Sequence, residues 1–325
     1  MADIEYRRMG NSGLIVSTIG LGCNNFGRAK TVTETQQGTD AVIHAAIDVG
    51  VTLFDTADIY GAERGLSETL MGNSLRGRRG DIVLASKFGM DMGGANGPDW
   101  GALGSRRYIR LAVEASLRRL QTDWIDLYQL HRPDAQTPIE ETLATLDDLI
   151  TEGKVRYIGH SNLAGWQIAE AEFTAQLHGH PKFISAQNEY SLLVRDAEVE
   201  VLPAVGAYEL GFLPFFPLYN GLLTGKYSRD SRPADARITT QKAHLLADAP
   251  WDTLEKYDAF CAERGLSMVD ATFGWLLAQP NLTSVIAGAT RQEQVIQNVQ
   301  ASTAWQPTPQ ELHELSELFD PAMLS

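Results

Sequence analysis

Short apolar runs rich in β-branched and aromatic residues recur along the chain. They are "IVSTIGLG" (15–22), "TLFDTA" (52–57), "IVLASK" (82–87), "IDLYQLH" (125–131), "VRYIGHSN" (155–162), "FISAQNEY" (183–190), "GFLPFFPL" (211–218) and "SVIAGA" (284–289). Their continuous apolar character suits strands covered on both faces, as in a parallel sheet. Stretches of helical periodicity stand between them. "TETQQGTDAVIHAAIDVG" stops at Gly50, and "SRRYIRLAVEASLRRLQTD" opens on Ser105 as an N-cap. "TPIEETLATLDDLITEG" sets Thr137 as the cap, Pro138 at the first helical position, Glu140 and Glu141 in the first turn and Gly153 past the end. Further helical patterns follow, the last being "RQEQVIQNVQAS" after the eighth strand.

Eight strands alternating with helices predict an α/β fold, a (β/α)8 TIM barrel, as one domain over residues 1–325. An open doubly wound sheet would require a glycine-rich dinucleotide turn after the first strand. The nearest stretch, "GLGCNNFG", has Asn25 where the third glycine belongs. Two segments exceed a bare barrel: a Gly-rich loop at 89–104 and a long polar connection at 219–250. Long loops at the C-terminal ends of barrel strands shape active sites.

Composition narrows the function classes. The net charge of −14 argues against nucleic acid, whose phosphates need clustered Lys and Arg. The two cysteines, Cys23 and Cys261, cannot build a disulfide framework, which favours a reducing compartment. The opening residues "MADIEYRRMGNSG" carry no apolar signal region, and no run has the length of a membrane span, so the expected location is cytoplasmic.

In a barrel, working residues sit where strands end. Asp55 lies near the end of the second run and Tyr60 in the loop beyond; Lys87 closes the third run and His131 the fourth. Singly, each has a plain structural explanation. Together they form an acid–base unit: a lysine beside a tyrosine lowers the phenol's pKa from about 10, and Asp55 orients the lysine. His131 would hydrogen-bond a substrate carbonyl or tune the phenol. Asp58 gains no role and reads as a solvated loop carboxylate. Metal chemistry is not indicated, since no H-E-x-x-H occurs, and "GLLTGKY" (221–227) fails as a phosphate loop because three residues, not four, separate its glycines. A better phosphate site is the helix mouth at Gly288, Ala289, Thr290 and Arg291, with free backbone N–H groups and a positive dipole end.

These residues resemble the aldo-keto reductase family over nearly the whole chain. "GVTLFDTADIYG" is similar to the family's aspartate–tyrosine signature, "LASKFG" to its lysine segment and "DLYQLHRPD" to its histidine segment. "IGHSN", "SAQNEYSLL", "FPLYNGLLTGKY" and "VIAGATRQEQVIQN" resemble its cofactor-binding segments in the family's order. The resemblance implies NADPH-dependent reduction of an aldehyde or ketone, or the reverse oxidation with NADP+, with Tyr60 as proton donor and Asp55, Lys87 and His131 completing the tetrad. It implies that Ser161, Asn162 and Gln187 hold the nicotinamide carboxamide. Leu218, Gly221 and Lys226 would clasp the pyrophosphate; Gly288, Thr290 and Arg291 the adenosine 2′-phosphate; Gln294 and Asn298 the adenine. Phe215 matches the ring that stacks on the nicotinamide, in a departure from the family pattern: "FFPL" stands where many relatives have Tyr-Ser-Pro-Leu. Expected pocket walls are Phe26, Trp100, Tyr190 and Phe216. The partner is a small carbonyl or alcohol substrate. Two alternatives stay open: a cofactor-binding regulatory subunit of a membrane channel, and a barrel enzyme of other chemistry that uses the phosphate site.

Overall fold

A computed structural model of the chain describes residues 4–98, 100–231, 238–239 and 242–320. An antiparallel hairpin, β1 (Tyr6–Arg8) and β2 (Ile15–Ser17), precedes eight parallel strands. These are β3 (Ile19–Gly22), β4 (Leu53–Asp55), β5 (Val83–Phe88), β6 (Ile125–Leu130), β7 (Val155–Ser161), β8 (Ser185–Gln187), β9 (Gly211–Phe212) and β10 (Val285–Gly288). Their order is β10-β3-β4-β5-β6-β7-β8-β9. The ends are joined: the Phe212 N–H donates to the Asn281 carbonyl at 2.8 Å and the Ile286 N–H to the Pro214 carbonyl at 3.1 Å. The sheet therefore curls into the expected (β/α)8 barrel.

Helices α1 (Gln36–Asp48), α2 (Leu66–Ser74), α3 (Arg106–Leu120), α4 (Ile139–Thr151), α5 (Gly165–His178) and α6 (Val201–Ala207) follow β3 to β8 in turn. Between β9 and β10 come α7 (Ala243–Ala247), α8 (Trp251–Glu263) and α9 (Met268–Leu277); α10 (Gln292–Ala304) and α11 (Pro309–Leu318) end the described chain. Among the described residues, no helix is long and apolar enough to cross a membrane.

Period-two alternation divides each strand between two cores. On β5, Leu84 and Phe88 point outward into the strand–helix layer, whereas Ala85 joins Leu53, Leu127, Leu213 and Ile286 inside the barrel. The hairpin supplies Met9 and Val16 to that inner cluster and so plugs the barrel floor. "IVSTIGLG" is thus two strands. The break falls where Ser17 and Thr52 exchange backbone-to-hydroxyl hydrogen bonds, 2.9 Å in each direction, in place of a ladder.

Helix ends mostly follow the expected signals. Ser105 caps α3 by accepting from the Tyr108 N–H, and Gly50 and Gly153 take the left-handed φ values of 88° and 76° just past α1 and α4. Thr137 is a correction: α4 begins at Ile139 with Pro138 as its cap, and the Thr137 hydroxyl donates to Asp134 at 2.7 Å.

Candidate active site

The alternation that fills the barrel floor with apolar side chains delivers polar ones at its mouth. Two residues beyond Leu53, Ala85 and Leu127 on the same inward faces stand Asp55, Lys87 and Gln129. The Lys87 ammonium is fully buried and donates to both Asp55 oxygens, at 2.7 and 2.6 Å, and to the Thr56 carbonyl at 2.9 Å. Asp55 also accepts from Gln129 at 3.1 Å and from Gln187, reaching across from β8, at 2.9 Å. Burial works against the ammonium, but Asp55 and then Tyr60 outweigh it and hold Lys87 above the usual lysine range. Gln129 was not among the residues expected from the sequence, although its spacing from Leu127 marks it as inward-facing.

Tyr60 and His131 stand over this buried pair. The Lys87 nitrogen is 5.3 Å from the centroid of the Tyr60 ring, and the Tyr60 and His131 rings meet edge to face at 5.8 Å. Burial pushes the Tyr60 phenol above its ordinary value; Lys87 pulls it down, by charge first and hydrogen bonding second, without reversing the sign. The expected lowering is therefore corrected: the phenol is a protonated donor across the neutral range. Burial, then Lys87 and Arg132, depress His131 to about 3, so its imidazole is neutral. Its Nδ1 is buried without a partner among the described residues. Asp58 is the second correction. It is buried rather than solvated, and packs away from the barrel axis against Asn96.

The residues assigned to the cofactor by resemblance lie on the next strand ends. The Ser161 hydroxyl donates to the Gln187 carbonyl at 2.7 Å. Asn162, at φ 60°, donates its amide to the His131 carbonyl at 3.0 Å and to the Ser161 hydroxyl at 2.9 Å. Gln187 has its amide nitrogen on Asp55, as above. Phe215 is half-buried and meets Phe216 edge to face at 5.2 Å. Leu218 and Gly221 are half-buried in a bent segment where Gly221 takes φ 103°, and Lys226 is exposed. Gly288 and Arg291 are exposed at the start of α10, Thr290 is half-buried and Asn298 is buried one turn past Gln294.

The helix mouth is not free, as the sequence led us to expect. The Gln294 side-chain oxygen accepts from the Thr290 N–H at 2.8 Å and the Arg291 N–H at 3.2 Å. A phosphate here would displace that carboxamide or bind to the Arg291 guanidinium, which has no ion pair among the described residues. The Arg291 guanidinium suits a phosphate, while the Ser161 hydroxyl and the Asn162 amide are engaged at the strand ends.

Of the expected pocket walls, two belong to the core. Phe26 is fully buried, and Tyr190 packs on Trp275 at 5.3 Å with its hydroxyl on Glu198 at 2.7 Å. Trp100 is 76% exposed beneath the Arg107 guanidinium, 4.7 Å from the ring centroid. Phe216 is half-buried with the Lys242 ammonium 5.1 Å from its centroid.

Comparison with known proteins gives the family. The model of the aldo/keto reductase family matches residues 18–320. The chain is 36% identical to a probable voltage-gated potassium channel subunit beta of Oryza sativa subsp. japonica, over 92% of this chain and 91% of that one. It is 33% identical to L-glyceraldehyde 3-phosphate reductase of Escherichia coli (strain K12), over 92% and 88%. It is 31% identical to versiconal hemiacetal acetate reductase of Aspergillus parasiticus, over 98% of each. The chain belongs to the aldo/keto reductase family.

Proposed function

We propose that this protein is a cytoplasmic, NADPH-dependent reductase of aldehydes or ketones, working also in reverse with NADP+, in which Tyr60 is the proton donor. One observation carries it: a protonated phenol, a buried cation and a neutral imidazole converge on one spot at the barrel mouth. Ser161, Asn162, Gln187 and Phe215 would hold the nicotinamide end, and Arg291 the phosphate. The bound cofactor supplies the hydride. The protein supplies position and field. The neutral His131 donates a hydrogen bond to the carbonyl oxygen, Tyr60 gives its proton as negative charge grows there, and Lys87 stabilises the phenolate left behind. Asp55 keeps the ammonium oriented and its charge balanced in the dry interior.

Replacing Tyr60 by Phe removes the proton and keeps the ring. Turnover of a carbonyl panel should fall by about 10²–10⁴ while NADPH still binds, seen as a change in nicotinamide fluorescence. Near wild-type turnover in Tyr60→Phe would refute the proton-donor role.

A second reading is supported by the likeness to the probable voltage-gated potassium channel beta subunits of two plants, at 36% and 35% identity. In it the same barrel binds cofactor as a regulatory subunit with little turnover. Co-purification with a membrane protein and negligible rates on the carbonyl panel would support that alternative.

A further inference from the structure

The catalytic turn carries a second carboxylate that the proposed chemistry leaves unused. Asp58 lies between Asp55 and Tyr60, yet its side chain enters the layer between sheet and helices, where it is fully buried. Asn96 donates to its Oδ2 at 2.9 Å, and its Oδ1 has no partner among the described residues. From Asn96 a chain of hydrogen bonds runs back to the active site. Asn96 Oδ1 accepts from Arg119 at 3.0 Å, Arg119 donates to Glu68 Oε2 at 2.7 Å, and Glu68 Oε1 accepts from Ser86 at 2.6 Å. Ser86 is the neighbour of Lys87, and the Asp58 N–H donates to the Lys87 carbonyl at 3.2 Å. The circuit thus links the Tyr60 turn, the loop after β5, α3, α2 and β5.

Its charges do not balance. Two buried carboxylates share one guanidinium, and Glu68 holds it directly while Asp58 reaches it only through Asn96. Burial first, and then Glu68, raise Asp58 to about 8; Arg119, Asn96 and the Ile59 amide offset only part of this. Among the described residues, the other titratable groups facing this region are the phenols of Tyr108 on α3 and Tyr128 on β6, and neither brings positive charge. An ionised Asp58 would place a bare carboxylate oxygen in an apolar layer beside Glu68. It can relieve that cost only by moving toward water, and Tyr60, two residues on, moves with it.

We propose that Asp58 is a positioning residue: while neutral it stays buried beneath Asn96 and holds the Tyr60 turn against β5, and on losing its proton it is driven toward water, draws the turn away from β5 and sets the alkaline limit of turnover. The inference rests on Tyr60 being the proton donor, so its test has an arm that needs no turnover.

That arm compares thermal melting of wild type and Asp58→Asn from pH 5 to 9. A buried acid whose folded-state pKa is raised contributes stability that is full below its unfolded value and is lost as pH rises to the folded one. The melting temperature of Asp58→Asn relative to wild type should therefore climb from pH 5 to about 8 and then level. The second arm is the pH profile of kcat for carbonyl reduction. Wild type should lose rate with a midpoint near 8, and in Asp58→Asn that limb should move up by more than one pH unit, with KM little changed. A melting difference that is flat across the range, or the same alkaline limb in both proteins, would overturn the proposal. A wild type that reduces no carbonyl at all would sink the Tyr60 assignment, while the melting arm would still report whether Asp58 holds its proton.

Discussion

Lys87 is a fully buried cation at the centre of an apolar barrel, and among the described residues its one carboxylate partner is Asp55. Pairs of this kind add little net stability, but removing one partner leaves an uncompensated buried charge. Lys87→Met should therefore destabilise the chain by about 3–5 kcal/mol, and Asp55→Leu by a similar amount, measured by urea unfolding. The double variant should cost clearly less than the sum, because neither charge is left alone. Strict additivity would mean that the two side chains do not act as a unit. That Asp55, Tyr60, Lys87 and His131 come together was legible because three of them end apolar runs, where a polar group needs a reason, and Tyr60 stands in the loop beyond one. Burial was not legible in the same way. Asp58 passed for a solvated carboxylate, and the Tyr60 shift was given the wrong sign, because the sequence shows neighbours in the chain and not the layers that close over them.

Elements are fixed in place by close backbone approaches as much as by apolar area. On α2, a Cβ at Gly72 would lie 2.4 Å from the Arg119 carbonyl oxygen and 2.7 Å from the Leu120 carbonyl carbon, so α2 seats on the end of α3 only because that Cβ is missing. Gly72→Ala gains helix propensity, yet backbone atoms cannot step aside as a flexible side chain can. A net loss of about 1–3 kcal/mol follows from overpacking. Because Arg119 and Glu68 lie on these two helices, the variant should also lower kcat more than it raises KM; stability equal to or above wild type would show that the helices part without cost. At this scale the sequence was a good guide to which elements exist and a poorer one to their lengths. "GFLPFFPL" reads as an eight-residue strand, but the regular strand is only Gly211–Phe212; beyond it the pairing thins to single bonds and an isolated bridge of Phe215 to Glu189, since Pro214 and Pro217 have no N–H to give a ladder. The floor hairpin was missed because its second strand is continuous in hydropathy with β3 and only the Ser17–Thr52 exchange separates them.

The whole molecule joins these levels through its pH dependence, since three buried groups pull stability in opposite directions. His131 and His160 are both held at about 3, each with burial as the leading cause. A histidine kept neutral in the fold contributes stability that is full above its unfolded value near 6.5 and is lost as pH falls toward the folded one. Asp58, held at about 8, loses its contribution in the other direction, as pH rises from near 4. Each group has a limiting slope of about 1.4 kcal/mol per pH unit within its window. Between about pH 4 and 6.5 two rising terms oppose one falling term, and between about 6.5 and 8 only the falling term remains. These groups therefore place the stability maximum near pH 6.5. His160 provides the clean test, since it is fully buried on β7 against Phe183, away from the Tyr60 turn, and neither ring nitrogen has a partner among the described residues. In His160→Leu one rising term is gone, so the acid limb between pH 4 and 6.5 should flatten to near zero slope while the alkaline limb is unchanged. Melting temperatures across that range, for wild type and variant in the same buffers, read the difference directly, and an acid limb that kept its full steepness would show that His160 does not stay neutral in the fold.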